Sequence, residues 1–207
     1  MPSLIVIDNF YPNPDSIVKK IESMEFVEPE DVEGWRTTSG YFPRNMENLL
    51  RQKSGLIISE LDKPQGTPHD NGTFYHSLSA GNKKEKPAVH WDLPLNHHVC
   101  IVYLSKNIAA NCGTSFYRHK SLGLECAPTQ RDARKLGKTK EALIEKINLD
   151  CRNKKNFEEI DRVAYRFNRA VIFPAKRLHA ATAHQGSDLK NGRIYQIFSF
   201  KAKQPKV

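Results

Sequence analysis

Three short runs in the second half of the chain constrain its fold more than any other feature. Val99–Ser105 is apolar almost throughout, Arg166–Pro174 closes an apolar run on a proline, and Arg193–Phe200 alternates. The alternation puts Arg193, Tyr195, Ile197 and Ser199 on one face and Ile194, Gln196, Phe198 and Phe200 on the other. Runs of this length, rich in β-branched and aromatic residues, read as strands. Leu4–Ile7 reads as a first strand and Phe74–Ser79 as another. The chain has 207 residues, 39% of them hydrophobic, which suits one domain with a sizeable core.

Helices flank these strands. Asn13 is placed to cap a helix with Pro14 in its first turn, and Ile17, Ile21 and Met24 follow at helical spacing. Leu49, Leu50, Ile57, Ile58 and Leu61 predict a second helix over Met46–Leu61, broken near Gly55. Leu143, Ile144 and Ile147 predict a third within Thr139–Leu149.

The chemistry-bearing stretch is Ala88-Val89-His90-Trp91-Asp92. In extended chain, residues two apart share a face, so His90 and Asp92 aim an imidazole and a carboxylate at one spot. That is two thirds of a 2-His-1-carboxylate set, which holds Fe(II) and leaves positions open for ligands. His179, within Arg177-Leu178-His179-Ala180-Ala181, offers the third donor, and Arg193 follows in the next run. Taken alone, His-x-Asp is more often a pair of ordinary surface polar residues. The order of the downstream strands, the histidine and the arginine raises its weight.

These pieces resemble the Fe(II)- and 2-oxoglutarate-dependent oxygenases, and within them the prolyl-hydroxylase-like branch with its small bacterial and phage relatives. The matching set is His90-x-Asp92, the strand through Val102-Tyr103-Leu104, the turn Cys112-Gly113-Thr114-Ser115-Phe116, His179 and Arg193. The resemblance implies an α+β, mainly β chain. Its core would be a double-stranded β-helix, a jelly-roll or cupin-like barrel, with N-terminal flanking helices and a partly helical insertion. It implies one domain over 1–207: an N-terminal strand and supporting helices in 1–62, the barrel in 73–117 and 163–200, and a basic insertion in 118–162. It implies Fe(II), 2-oxoglutarate and O2 as cofactor and cosubstrates. Fe(II) would sit on His90, Asp92 and His179, and Arg193 would take the far carboxylate of 2-oxoglutarate. Tyr103, Thr114 or Ser115 would add hydroxyls, and Tyr75 resembles a tyrosine that related enzymes place near the cosubstrate. His184 is spaced from Arg193 more as the family spaces its histidine, so it stands as the alternative third ligand.

The net charge of +9 favours anionic partners. Part of it is local, in Arg131–Lys155 and the tail Lys201–Lys206. The expected substrate is a peptide or protein side chain, hydroxylated with release of succinate and CO2. The alternatives are an oxygenase acting on nucleic acid, or a non-catalytic cupin-like binding protein. Trp35–Arg44, aromatic and basic, is expected to be a loop, either pinned by its rings or forming a wall of the substrate site. Four cysteines without C-x-x-C spacing argue against a zinc ribbon and read as free thiols. No apolar stretch reaches membrane-spanning length, and Met1–Asp8 has no basic leader, so a cytoplasmic location is expected.

Overall fold

The computed structural model describes residues 4–28, 35–67, 70–78, 88–188 and 190–203. The charged loop expected over Gly81–Lys86, most of the acidic stretch Glu28–Gly34 and the end of the basic tail lie outside them.

The chain opens with strand β1, Ile5–Ile7, and helix α1, Pro14–Glu22. The Asn13 side chain accepts from the backbone N–H of Ser16, and Pro14 sits in the first turn, as the sequence predicts. Two short strands follow, β2 (Phe26–Val27) and β3 (Trp35–Thr37), so the expected loop over Trp35–Arg44 begins as a strand. Helix α2 spans Met46–Ser54 and stops at Gly55, whose φ of 71° is a left-handed cap. Ile57–Glu60 is then strand β4, not the continuation of the helix. Its pairing with the end of the chain overrides an apolar spacing that also fits a helix. Strand β5 is Phe74–Ser77 and β6 is His98–Tyr103.

The expected insertion is smaller than 118–162. Strand β7, Thr114–His119, pairs antiparallel with β8, Phe157–Val163, from Thr114↔Val163 to His119↔Phe157. The two ends of the segment are thus arms of a hairpin. Between them lie helix α3, Gln130–Leu136, and helix α4, Lys140–Asp150. Strand β9 is Ala170–Pro174, shorter than the expected Arg166–Pro174. Asn168 turns the chain just before it at φ 61°, with its side chain bonded to the Tyr11 backbone on both N–H and C=O. Strand β10 is His179–Ala181 and β11 is Arg193–Lys203.

These strands form two antiparallel sheets. The larger has the order β1-β9-β6-β11-β5-β3-β2, with β4 also on β11; the smaller is β10-β7-β8. No strand pairing among the described residues closes either sheet into a barrel. The described residues include four α-helices, and none is long and apolar enough to cross a membrane.

Strand β6 is buried on both faces, which explains its continuous apolar sequence. Cys100 and Val102 pack with Phe10, Ile17, Leu50 and Phe198 under α1 and α2. Val99, Ile101 and Tyr103 face the other way, packing with Phe116, Val163, Tyr165 and Phe173 between the sheets. Strand β11 divides as its alternation predicts, with Ile194 and Phe198 toward the helices and Tyr195 and Ile197 between the sheets. A third cluster, around Val89, Ile147 and Leu178, sits behind the small sheet.

Gly113, at the entry to β7, lets two backbones meet. A Cβ there would run into the carbonyl oxygen of Val163 and lie 2.8 Å from the Tyr165 nitrogen. Gly113→Ala is therefore expected to cost about 1–3 kcal/mol, as overpacking does. A urea unfolding midpoint equal to that of the wild type would refute this account of the turn.

Candidate metal centre

His90 is not within a strand. It forms an isolated antiparallel bridge with His179, the first residue of β10. The bridge is reciprocal: His90 N–H donates to His179 C=O at 2.9 Å and His179 N–H to His90 C=O at 2.8 Å. Two residues on, Asp92 N–H donates to Ala175 C=O at 2.8 Å, just past β9. The extended backbone expected around His90 is present, but a partner strand from far along the sequence holds it.

This pairing brings three donors together. The ligand atoms of His90, Asp92 and His179 all lie within 4.8 Å of one another. His179 Nε2 is 3.2 Å from Asp92 Oδ2, and His90 Nε2 is 3.7 Å from Asp92 Oδ1. An octahedral cation with bonds of about 2.1 Å sets neighbouring ligand atoms about 3 Å apart, close to the His179–Asp92 separation and shorter than the His90–Asp92 one.

The tautomers follow from hydrogen bonding. His90 Nδ1 lies 2.9 Å from the Ala88 carbonyl, and His179 Nδ1 lies 2.9 Å from the Arg177 carbonyl. A carbonyl only accepts, so each Nδ1 carries a proton and donates, which leaves each Nε2 as the nitrogen that faces Asp92 and that a metal can use. Each histidine is thus oriented by the carbonyl two residues before it, the kind of outer contact that metal-ligating histidines use.

Although about half of the His90 ring faces solvent, loss of surrounding water lowers its pKa, with His179 adding to the effect. Burial pushes the Asp92 carboxyl up, but His179 and then His90 bring it below its ordinary value. These two shifts favour a neutral His90 imidazole and an ionised Asp92 carboxylate, the forms that bind a metal. The Phe173 ring meets His179 edge-on at 4.6 Å, and Phe116 lies at 6.3 Å. Sequence reasoning did not single out either ring for the site.

Arg193 is 2% exposed. Its guanidinium lies 4.2 Å from the Tyr195 ring centre and 5.4 Å from that of Tyr103, and its Nε donates to the Cys112 carbonyl at 2.7 Å. No ion pair between Arg193 and a carboxylate occurs among the described residues. Tyr103 and Thr114 share a 2.7 Å hydroxyl hydrogen bond. Ser115 faces away and bonds Thr182 at 2.6 Å, which leaves Thr114 as the hydroxyl on the Tyr103 side. Phe116 and Phe173 belong to the same core as Tyr103, so one interior joins the two regions.

Tyr75 stands on the Asp92 side. Its ring stacks on Tyr195 at 5.4 Å and 13°, and Arg36 lies 5.1 Å from its centre. Arg193, Tyr195, Tyr75 and Arg36 thus form a ladder from β11 through β5 to β3. Burial raises the Tyr75 phenol to about 12. A cleft of about 420 Å³ is lined by Tyr75, Asp92, Leu93 and Pro94 and by Asp62, Lys63 and Asn71. None of its lining residues comes from Trp35–Arg44, for which a wall of the substrate site was one of two expectations, or from the insertion.

His184 lies outside the metal cluster. Its Nδ1 is buried without a partner, and burial, then Arg193 and Lys154, lower its pKa to about 3. His76, also buried, is lowered to about 4, with burial as the main cause. In the unfolded chain both titrate near about 6.5. Below that pH the unfolded state takes up protons that the folded state refuses, so stability falls as pH drops from about 6.5 toward 4. His184→Gln is expected to lose less stability than the wild type between pH ~7.5 and ~5 in chemical denaturation. Equal losses would show that His184 does not stay neutral in the fold.

A model of a family of unknown function, DUF6445, matches residues 2–194. No curated protein matches the chain. Among solved structures, HygX from Streptomyces hygroscopicus, with nickel, 2-oxoglutarate and hygromycin B bound, aligns with a TM-score of 0.52 at 11% identity. The alignment covers 96% of this chain and 82% of that one. The non-heme alpha-ketoglutarate-dependent epimerase SnoN from nogalamycin biosynthesis aligns with a TM-score of 0.53 at 12% identity, covering 96% and 78%. The carbocyclase SnoK from the same biosynthesis gives 0.52 at 12%, covering 96% and 79%. At this identity the likeness establishes a shared fold.

Proposed function

The chain belongs to the DUF6445 family, and we propose that it is an Fe(II)- and 2-oxoglutarate-dependent oxygenase built on a double-stranded β-helix. The observation that carries the reading is the convergence of two Nε2 lone pairs and one carboxylate, each histidine held by a carbonyl at its Nδ1. The shared fold with HygX, SnoN and SnoK supports it. Within that fold, the prolyl-hydroxylase-like branch is the finer assignment proposed from the sequence.

In this reading His90, Asp92 and His179 hold the metal on one face and leave its other positions open. When bound, iron with 2-oxoglutarate and O2 supplies the oxidising chemistry, and succinate and CO2 are released. The protein's own part is binding and orientation. Arg193 offers the far carboxylate of 2-oxoglutarate a fixed, always-charged fork. The aromatic faces of Tyr195 and Tyr103 hold that fork in place, and the Tyr103–Thr114 pair supplies hydroxyls beside it. Phe116 and Phe173 fill the interior between the two regions and exclude water. Tyr75 lies on the substrate side, in the cleft with Asp92. A cytoplasmic location accompanies this proposal, supported by four free cysteines.

Single alanine substitutions at His90, Asp92 or His179 are expected to abolish substrate-dependent conversion of 2-oxoglutarate to succinate. Arg193→Lys keeps the charge but loses the fork, so 2-oxoglutarate should bind more weakly by about 1.5–3 kcal/mol. Calorimetry on the metal-loaded protein reads this directly. Full activity in His179→Ala with loss in His184→Ala would move the third ligand, and unchanged affinity in Arg193→Ala would sink the carboxylate assignment.

The prime substrate proposed from the sequence is a peptide or protein side chain. One observation favours a second reading, a small polar molecule. The cleft beside Asp92, about 420 Å³, falls in the range of small-molecule sites. HygX, of the same fold, was solved with hygromycin B bound. Succinate release with short peptides, small polar amines and sugars, and oligonucleotides, compared at ~50 and ~200 mM salt, separates the classes. Nucleic-acid turnover should collapse across that range as counterions are released. Peptide turnover should hardly change. Turnover confined to small molecules would overturn the peptide reading.

A further inference from the structure

The helical insertion does not line the cleft; it packs behind the candidate ligands. His90 and His179 point forward, and their neighbours in sequence point back. Val89 and Trp91 on one segment, and Leu178 and Ala180 on the other, meet in one cluster with Ile147 of α4. Ile147 is fully buried there.

One direct bond ties the helix to the ligand segment. The Val89 N–H donates to the carbonyl of Cys151 at 2.8 Å. Cys151 caps the C-terminus of α4, where carbonyls have no partner within the helix. The preceding residue, Asp150, is locally unfavourable because a negative charge at a helix C-terminus opposes the helix dipole. Its carboxylate is held instead by His119 Nε2 at 2.9 Å and Lys146 Nζ at 2.7 Å. His119 closes β7, is fully buried, and meets the Phe157 ring edge-on at 4.9 Å. An acidic residue at the C-terminal end of a helix is thus paired with a buried histidine on a strand.

We infer that the insertion is a positioning element for the metal centre: His119 and Asp150 fix the end of α4, so that the Cys151 carbonyl sets the backbone of Val89 and, through it, the place of His90. The inference rests on the reading of His90, Asp92 and His179 as metal ligands. His119 and Asp150 touch no reacting atom and act only through the backbone between them and His90.

Co(II) titration of the full chain tests it, using the metal alone and following the ligand-field absorption. Asp150→Ala is expected to weaken Co(II) binding on the order of tenfold, the scale of lost outer contacts at metal sites. It should also shift the absorption bands and speed hydrogen exchange at the Val89 amide. Asp150→Asn, which keeps the shape, gives the same readouts in milder form if the alanine variant does not fold. Leu50→Ala is the control for general softening, since Leu50 is fully buried in the separate core under α2. It should lower the melting temperature and leave Co(II) affinity and spectrum unchanged. Wild-type affinity and spectrum in both Asp150 variants, or an equal loss in Leu50→Ala, would overturn the inference. Failure of the wild type to bind Co(II) would instead overturn the ligand assignment itself.

Discussion

The reciprocal backbone pair between His90 and His179 is the contact on which the rest of the centre depends. It joins segments 89 residues apart in sequence, and each of its two hydrogen bonds is under 3 Å. Directly opposed residues of an antiparallel pair carry their side chains to the same face. The rings therefore meet at 4.4 Å between centres, and Asp92 reaches the same side from two residues along. The Ala88 and Arg177 carbonyls then set both tautomers without any further side chain. One pairing thus fixes the positions of two candidate ligands, and the backbone just before each orients its ring.

Much of this was legible in the sequence. The alternation in Arg193–Phe200 gave the two faces of β11, and Asn13-Pro14 gave the start of α1. The order His90, Asp92, His179 named three donor side chains that the structure brings within 4.8 Å of one another. The elements that escaped do so for physical reasons. Ile57–Glu60 carries apolar residues at positions that also fit a helix, and only its pairing with β11 makes it a strand. Phe157–Val163 buries only its two ends, so its strand state comes from β7 rather than from its own pattern. Helix α3 had a readable signal, the reciprocal capping box of Thr129 and Asp132, in an insertion expected to be helical only in part, with its helix placed at Thr139–Leu149. The orienting carbonyls at Ala88 and Arg177 could not be read, because a backbone oxygen has no side-chain identity.

Composition was the weakest guide to the site. The net charge of +9 suggests an anionic partner over the whole surface. The cleft at Asp92 is nevertheless lined by Asp62 and Asp70 as well as Lys63. Asp70 is already committed to its own loop. Its oxygens accept from the N–H groups of Gln65, Gly66 and Thr67 and from the Thr67 hydroxyl, and these donors lower its pKa to about 2 against the effect of burial. Global charge governs encounter at long range, whereas the groups that line a cleft govern what stays.

The interior around Arg193 shows how such a fold carries a charge it cannot neutralise itself. A guanidinium at 2% exposure is costly to bury. Here its Nε has a carbonyl acceptor and its faces have two tyrosine rings, but no carboxylate is paired with it among the described residues. Tyr195 stacks in turn on Tyr75, which lines the cleft that holds Asp92. Under the proposed function, the far carboxylate of 2-oxoglutarate would meet at Arg193 a cation that the fold has already buried and oriented. The cost of ordering that cation is borne in folding rather than in binding, which is the physical content of preorganisation. The same aromatic contacts extend to the substrate side, so displacing the guanidinium would disturb Tyr195 and, next to it, the Tyr75 face of the cleft.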